Sequence, residues 1–144
     1  MREFTLEADI KLLSINKAFI TLRNGSRGRS KDYTIFNAAI SRVLGAKRAD
    51  FAAFNNTFCP YKHEIHAELY QYTDELYTKD GRISQKSGDI GNMEKCITDC
   101  VLVGKIDDSA ITLWVLRKEF RVKKGFKVKF VIVDRQVIDN TAKT

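Results

Sequence analysis

Between residues 91 and 103 the side chains Met93, Cys96, Ile97, Cys100 and Val101 fall at i, i+3, i+4, i+7 and i+8, the spacing that gathers them on one face of an α-helix. A helix with a single apolar face has to bury it against a second layer. The rest of the chain offers that layer as segments of period two. Glu3–Leu12 alternates, with Phe4, Leu6, Ala8 and Ile10 on one side. Tyr61–Tyr72 sets His63, Ile65, Ala67 and Leu69 against Glu64, His66, Glu68 and Tyr70. Ala110–Glu119 and Phe126–Asp134 complete the set, the latter alternating Phe126, Val128, Phe130 and Ile132 with Lys127 and Lys129.

Turn and cap residues divide these elements. Asp32 reads as the N-cap of a helix reaching Leu44, with Ile35, Ala39, Ile40 and Val43 inward and Gly45 as its stop. The helix from Gly91 ends at Gly104. Lys123-Lys124-Gly125 reads as a hairpin turn between the last two strands. The segment 23–30, rich in Arg, Gly and Ser, reads as an exposed mobile loop. The stretch around Pro60, the only proline, reads as irregular, and the tail Asn140–Thr144 as frayed. The order β-α-β-α-β-β predicts the α+β class: one domain over 1–144, a single mixed β-sheet with two helices packed on one face.

Composition narrows the partners. No apolar run approaches the ~20 residues that cross a bilayer, so no membrane partner is expected. Met1-Arg2-Glu3-Phe4 lacks the order of a secretory signal, which makes cytoplasmic the expected location. Three cysteines, Cys59, Cys96 and Cys100, exclude a fully paired disulfide framework. With His63 they form a zinc set only on paper: the spacing is not CxxC, and the two helical cysteines lie on the apolar stripe. His63 and His66 point to opposite faces of their strand. The 25 Lys+Arg exceed the 18 Asp+Glu, for a net charge of +7, which favours polyanionic partners. Two clusters carry the excess: Arg23, Arg27, Arg29 and Lys31 early, and Arg117, Lys118, Arg121, Lys123, Lys124, Lys127 and Lys129 late.

The chemistry concentrates around the second helix. Its polar face presents Asn92, Lys95 and Asp99; Asp89 stands just before it, and Asp107-Asp108 follow it. Each has an ordinary use: Asp89 as a cap, Lys95–Asp99 as an i,i+4 ion pair, Asp107-Asp108 as a turn. Together, acids converging in a basic protein point to a cation that offsets their repulsion. The expected metal ligands are Asp89 and Asp108, with Asp107 beside them, and Lys95 faces the charge that develops at a phosphodiester.

The pattern Asp89-Ile90-Gly91-Asn92-Met93-Glu94-Lys95, then Asp99, then Asp107-Asp108 before a strand, resembles the RusA-like Holliday junction resolvases of phage and prophage origin. Ser14-Ile15-Asn16 resembles their N-terminal Ser-x-Asn element, so the likeness spans most of the chain. It implies a crossover junction endodeoxyribonuclease, a homodimer using Mg²⁺ or Mn²⁺ to nick opposed strands of a four-way DNA junction. By position, Asp89 and Asp108 match metal-binding aspartates and Lys95 the catalytic lysine. Asn92, Asn16, Lys17 and the cluster Arg23, Arg27, Arg29 and Lys31 are the expected DNA contacts. Two departures stand out: Gly91 occupies the place of the second motif aspartate, and Leu12-Leu13 that of a Pro-Pro pair. A non-catalytic branched-DNA-binding protein that lost a ligand at Gly91 is therefore the alternative. A third reading, an RNA-binding subunit stacking bases on Tyr61, Tyr70 and Tyr72, rests on charge and aromatics alone.

Overall fold

The structure is a computed structural model and describes residues 1–103 and 105–136. It has mixed α+β content. Four strands form one mixed sheet in the order β1 (Glu3–Ala8), β6 (Gly125–Asp134), β4 (His63–Thr73), β5 (Ile111–Phe120). β6 runs antiparallel to both of its neighbours, whereas β5 is parallel to β4. The period-two pattern has its expected consequence. Phe4, Leu6, Ile65, Ala67, Leu69, Phe126, Val128, Phe130 and Ile132 are buried in one cluster, and the register places them on one sheet face.

That cluster also holds the stripe of α4 (Glu94–Leu102): Met93, Cys96, Ile97, Cys100 and Val101 are all buried. The helix begins later than expected. Ile90–Asn92 is a 3₁₀ turn, and α4 proper starts at Glu94. It closes at Val103, which takes a left-handed φ of 48°. The expected stop at Gly104 and the tail Asn140–Thr144 lie outside the described residues.

Several expectations are corrected. The sheet is accompanied by a second, two-stranded sheet, and the described residues form four α-helices rather than two. The first strand ends at Ala8, and a short helix α1 (Ile15–Ala18), capped by the Ser14 hydroxyl, follows it. The supposed mobile loop contains a strand: β2 (Phe19–Thr21) pairs antiparallel with β3 (Arg27–Arg29). Helix α2 (Lys31–Gly45) is capped by Ser30, whose Oγ accepts from the Tyr33 amide, and Asp32 lies inside the first turn. Its inward face is Tyr33, Phe36 and Ile40, leaving Ile35 exposed.

The stretch before Pro60 is helix α3 (Arg48–Thr57). Phe51 and Phe54 from this helix meet the Phe4 ring at 5.3 and 6.1 Å. Finally, β5 and β6 do not form a hairpin, because β4 lies between them. Gly125 serves close packing instead: a Cβ there would stand 2.6 Å from the Ala8 carbonyl oxygen. Among the described residues no helix is long and apolar enough to cross a membrane.

Candidate functional site

The segment between β4 and β5 carries the candidate catalytic and metal-binding residues, and both strands hold it down. Gln71 of β4 donates from Nε2 to the Ser87 carbonyl at 2.8 Å. Its register partner Lys118 of β5 reaches Ser87 Oγ at 3.0 Å and also the Gly88 carbonyl. Gly88 sits at φ 76°, and any Cβ would press on the Met93 methyl at 2.9 Å, so glycine alone lets the chain turn into the helix here. These three contacts deliver Asp89. Sequence reasoning missed Gln71 and Ser87 and treated Lys118 as one more surface cation; their lone polar letters within strand and turn give no periodic signal.

Asp89 is exposed and caps the 3₁₀ turn, its Oδ1 accepting from the Gly91 amide at 3.0 Å. It lines a groove of about 750 Å³ together with Asn92, Asn16 and Lys17. The groove floor is apolar, formed by residues such as Leu12, Leu13 and Phe36.

A second cleft of about 470 Å³ collects the second group: Lys95, Asp99, Asp107 and Asp108, with Arg29 and Tyr33 also in its lining. Here the helix face and the turn after it converge. Lys95 Nζ lies 2.6 Å from Asp108 Oδ2 and 3.2 Å from Asp99 Oδ1. The Asp108 carboxylate holds the lysine's pKa well above its ordinary value; burial opposes it, and the Asp99 carboxylate adds to the rise. Lys95 is therefore a cation at any working pH. Asp107 Oδ1 caps a 3₁₀ turn (Asp108–Ala110) by accepting from the Ser109 amide, and that bond lowers its pKa.

Glu94, which sequence reasoning passed over, shares a smaller cleft with Lys95 and Asp108. Burial raises its pKa, and Lys95 partly counters this.

The structure thus joins Lys95 to Asp108 and Asp99, and sets Asp107 in the same cleft. Asp89 and Asn92 stand instead in the first groove with Asn16 and Lys17, and the two clefts share no lining residue. Among the described residues no group of three or more His, Cys, Asp or Glu side chains is arranged to hold a metal ion. The donor chemistry nevertheless suits a hard divalent cation, which is typically held by one or two carboxylates plus substrate phosphate oxygens. Asp89 and Asp108 each engage a single oxygen in the bonds above. Cys96 and Cys100 are core side chains, and burial pushes the Cys100 thiol up to about 11. His63 Nδ1 accepts from the Cys59 amide at 2.9 Å.

The two basic clusters differ in kind. The late one is largely ion-paired: Lys123 with Asp9, Lys124 with Glu75, Lys129 with Glu3, Arg117 and Arg121 with Glu119. Among the described residues no carboxylate lies within 4.0 Å of Arg23, Arg27, Arg29 or Lys31. Of the tyrosines expected to stack bases, Tyr61 is exposed, but Tyr70 is half-buried under Lys127. Tyr72 is buried with the Arg121 guanidinium 3.7 Å from its ring centre, so it offers no open stacking face.

Compared with known proteins, the chain matches no family model and no curated sequence.

Proposed function

We propose that the chain is a metal-dependent, structure-selective endodeoxyribonuclease that resolves four-way DNA junctions by paired nicks, as its resemblance to the RusA-like resolvases implies. The observation that carries this reading is the Lys95 amine drawn between Asp108 and Asp99, in a cleft that the Arg29 guanidinium also lines. A permanent cation and an arginine facing one opening suit a phosphodiester in which negative charge builds up during attack. Asp89 and Asp108 would hold Mg²⁺ or Mn²⁺, with Asp107 beside them. The chemistry such an ion supplies when bound is a more acidic water and neutralised phosphate charge.

This chain's own residues do the rest. Lys95 stabilises the phosphorane oxygens, and Arg29 fixes the neighbouring phosphate through a two-pronged contact. The carbonyls gripped by Gln71 and Lys118 keep Asp89 in place. Asn16, Lys17, Asn92, Arg23, Arg27 and Lys31 position the backbone of the DNA arms. Cutting opposed strands requires two such clefts, hence a homodimer. The reading assigns its work to the cytoplasm of a bacterial host.

The test incubates the purified protein with a synthetic four-way junction, with and without Mg²⁺, alongside Asp89→Asn. Paired metal-dependent nicks that vanish in the variant while junction binding persists are expected. Cleavage by Asp89→Asn at the wild-type rate would overturn the metal assignment. A second reading is favoured by one observation, the separation of Asp89 and Asp108 into two clefts with Gly91 between them in sequence. It is a branched-DNA-binding protein without catalysis, and junction binding with no nicks in either Mg²⁺ or Mn²⁺ would select it.

A further inference from the structure

We propose that the β2–β3 ribbon is an unstacking wedge: Ile20 and Leu22 enter a base step at the branch point while the ribbon's arginines hold the flanking phosphates. The inference rests on the reading of the ligand as branched DNA and adds what the protein does to that DNA. Residues 19–29 contain three arginines and no acidic residue. They do not form a floppy loop. Leu22 and Ser26 close the turn through a 2.8 Å backbone bond, Gly25 takes φ 81°, and the Asn24 side chain receives both the amide and the hydroxyl of Ser26.

The pairing of Phe19 with Arg29, Ile20 with Gly28 and Thr21 with Arg27 gives the ribbon two unlike faces. One is cationic and aromatic: the Arg27 guanidinium lies 4.8 Å from the Phe19 ring centre, and that of Arg29 lies 4.7 Å from the Tyr33 ring centre. The other is aliphatic. Ile20 is 50% exposed and Leu22 is 43% exposed. Gly28 shapes this face, since a Cβ there would come within 3.0 Å of both Leu22 methyls. The missing side chain lets Leu22 lie across the ribbon beside Ile20.

An occupant that covers this element must bring negative charge to the rim and an apolar surface to the centre. Stacked bases between two phosphate strands have that arrangement. A two-stranded ribbon fits a DNA groove, and Ile and Leu are among the side chains that proteins push between base steps. Four helix ends meet at a branch point, so the continuous stack is already interrupted there and a wedge has fewer stacking contacts to break than inside a duplex. The ribbon is also anchored near the chemistry. Ser30 joins it to α2 by bonding the Lys17 carbonyl at 2.6 Å and receiving the Tyr33 amide, and Arg29 lines the cleft of Lys95 and Asp108.

The test places 2-aminopurine, whose fluorescence is quenched by stacking, at the branch point of a four-way junction in Ca²⁺ buffer. Wild-type protein is expected to raise the fluorescence. The double variant Ile20→Ser/Leu22→Ser, confirmed as folded by its thermal melt, is expected to leave the fluorescence at the free-junction level. Its affinity should change by no more than about tenfold, because lost apolar burial and avoided unstacking offset each other. Arg27→Ala should instead weaken binding and lower the salt slope by about 1. An undiminished rise with the double variant overturns the wedge, as does wild-type binding with no rise. A wild-type dimer that the double variant converts to monomer, seen by sedimentation, also overturns it and assigns the aliphatic face to a second copy. Failure of the wild type to bind the junction at all would instead remove the functional reading beneath it.

Discussion

Replacing Ser30 with alanine tests whether one hydroxyl joins the ribbon, the short helix α1 and the long helix α2. Ser30 is buried, with 7% of its surface exposed, and its Oγ makes two bonds. It accepts from the Tyr33 amide at 3.1 Å, capping α2, and donates to the Lys17 carbonyl at 2.6 Å. Loss of a serine N-cap costs about 1 kcal/mol. The Lys17 carbonyl loses a bond worth about 1 kcal/mol net, and more where water cannot replace it. Ser30→Ala should therefore destabilise by about 2 kcal/mol, lowering Tm by roughly 6 °C in a chain of this length. Urea titration reads this as a lower midpoint at unchanged slope. Ser30→Thr, which keeps both bonds, should stay close to wild type. A loss below about 0.5 kcal/mol for the alanine variant, or equal losses for the two variants, would refute the argument that this hydroxyl carries both contacts.

Two further outcomes follow from the site and the core. A Cβ at Gly91 would stand 3.3 Å from Asp89 Oδ1, so Gly91→Asp brings a second carboxylate beside the first. Because affinity follows the ligand charge count, Mn²⁺ binding measured by titration calorimetry should tighten by roughly an order of magnitude, and unchanged affinity would show that Asp89 is not a metal ligand. The Cys100 thiol, raised by burial from 9.0 to about 11, stays protonated in the folded chain at pH values where the unfolded chain has lost that proton. The folded state then binds more protons, so this group's contribution to stability declines from about pH 9 to pH 11. Denaturant melts in that window should show the decline, and Cys100→Ala should flatten it.

Periodicity made the layers legible, and non-local packing hid the rest. The stripe of α4 and the alternation of β6 are local patterns that burial enforces, and the structure keeps both. Gly125 illustrates the opposite case: it reads as a turn residue, but it is required by the close approach of the Ala8 backbone, which no local pattern records. The place of β4 between β5 and β6 is equally non-local. Helix α3 lacks a side-chain cap and begins soon after Gly45, so its start looks like a linker; Phe51, Phe54 and Phe58 at i, i+3 and i+7 were the signal available. At the site, the helical spacing of Lys95 and Asp99 could be read directly. The Lys95–Asp108 contact could not, because it depends on how the chain reverses after Val103.

The parallel pairing of β4 with β5 has a consequence for how the site comes into being. Strands that run in the same direction cannot be joined by a tight turn, so a long excursion must be organised before the second can dock. Here that excursion, residues 74–110, contains Asp89, Asn92, Lys95, Asp99, Asp107 and Asp108. Closing a loop of that length is slow, because the entropy is lost before the pairing compensates. Until β5 docks, Lys118 is not available to hold Ser87 and Gly88, and of the three contacts that deliver Asp89 only that from Gln71 can form. The last edge of the sheet and the support of the candidate site thus depend on the same strand pairing, so whatever detaches β5 from β4 also releases Ser87 and Gly88 from Lys118.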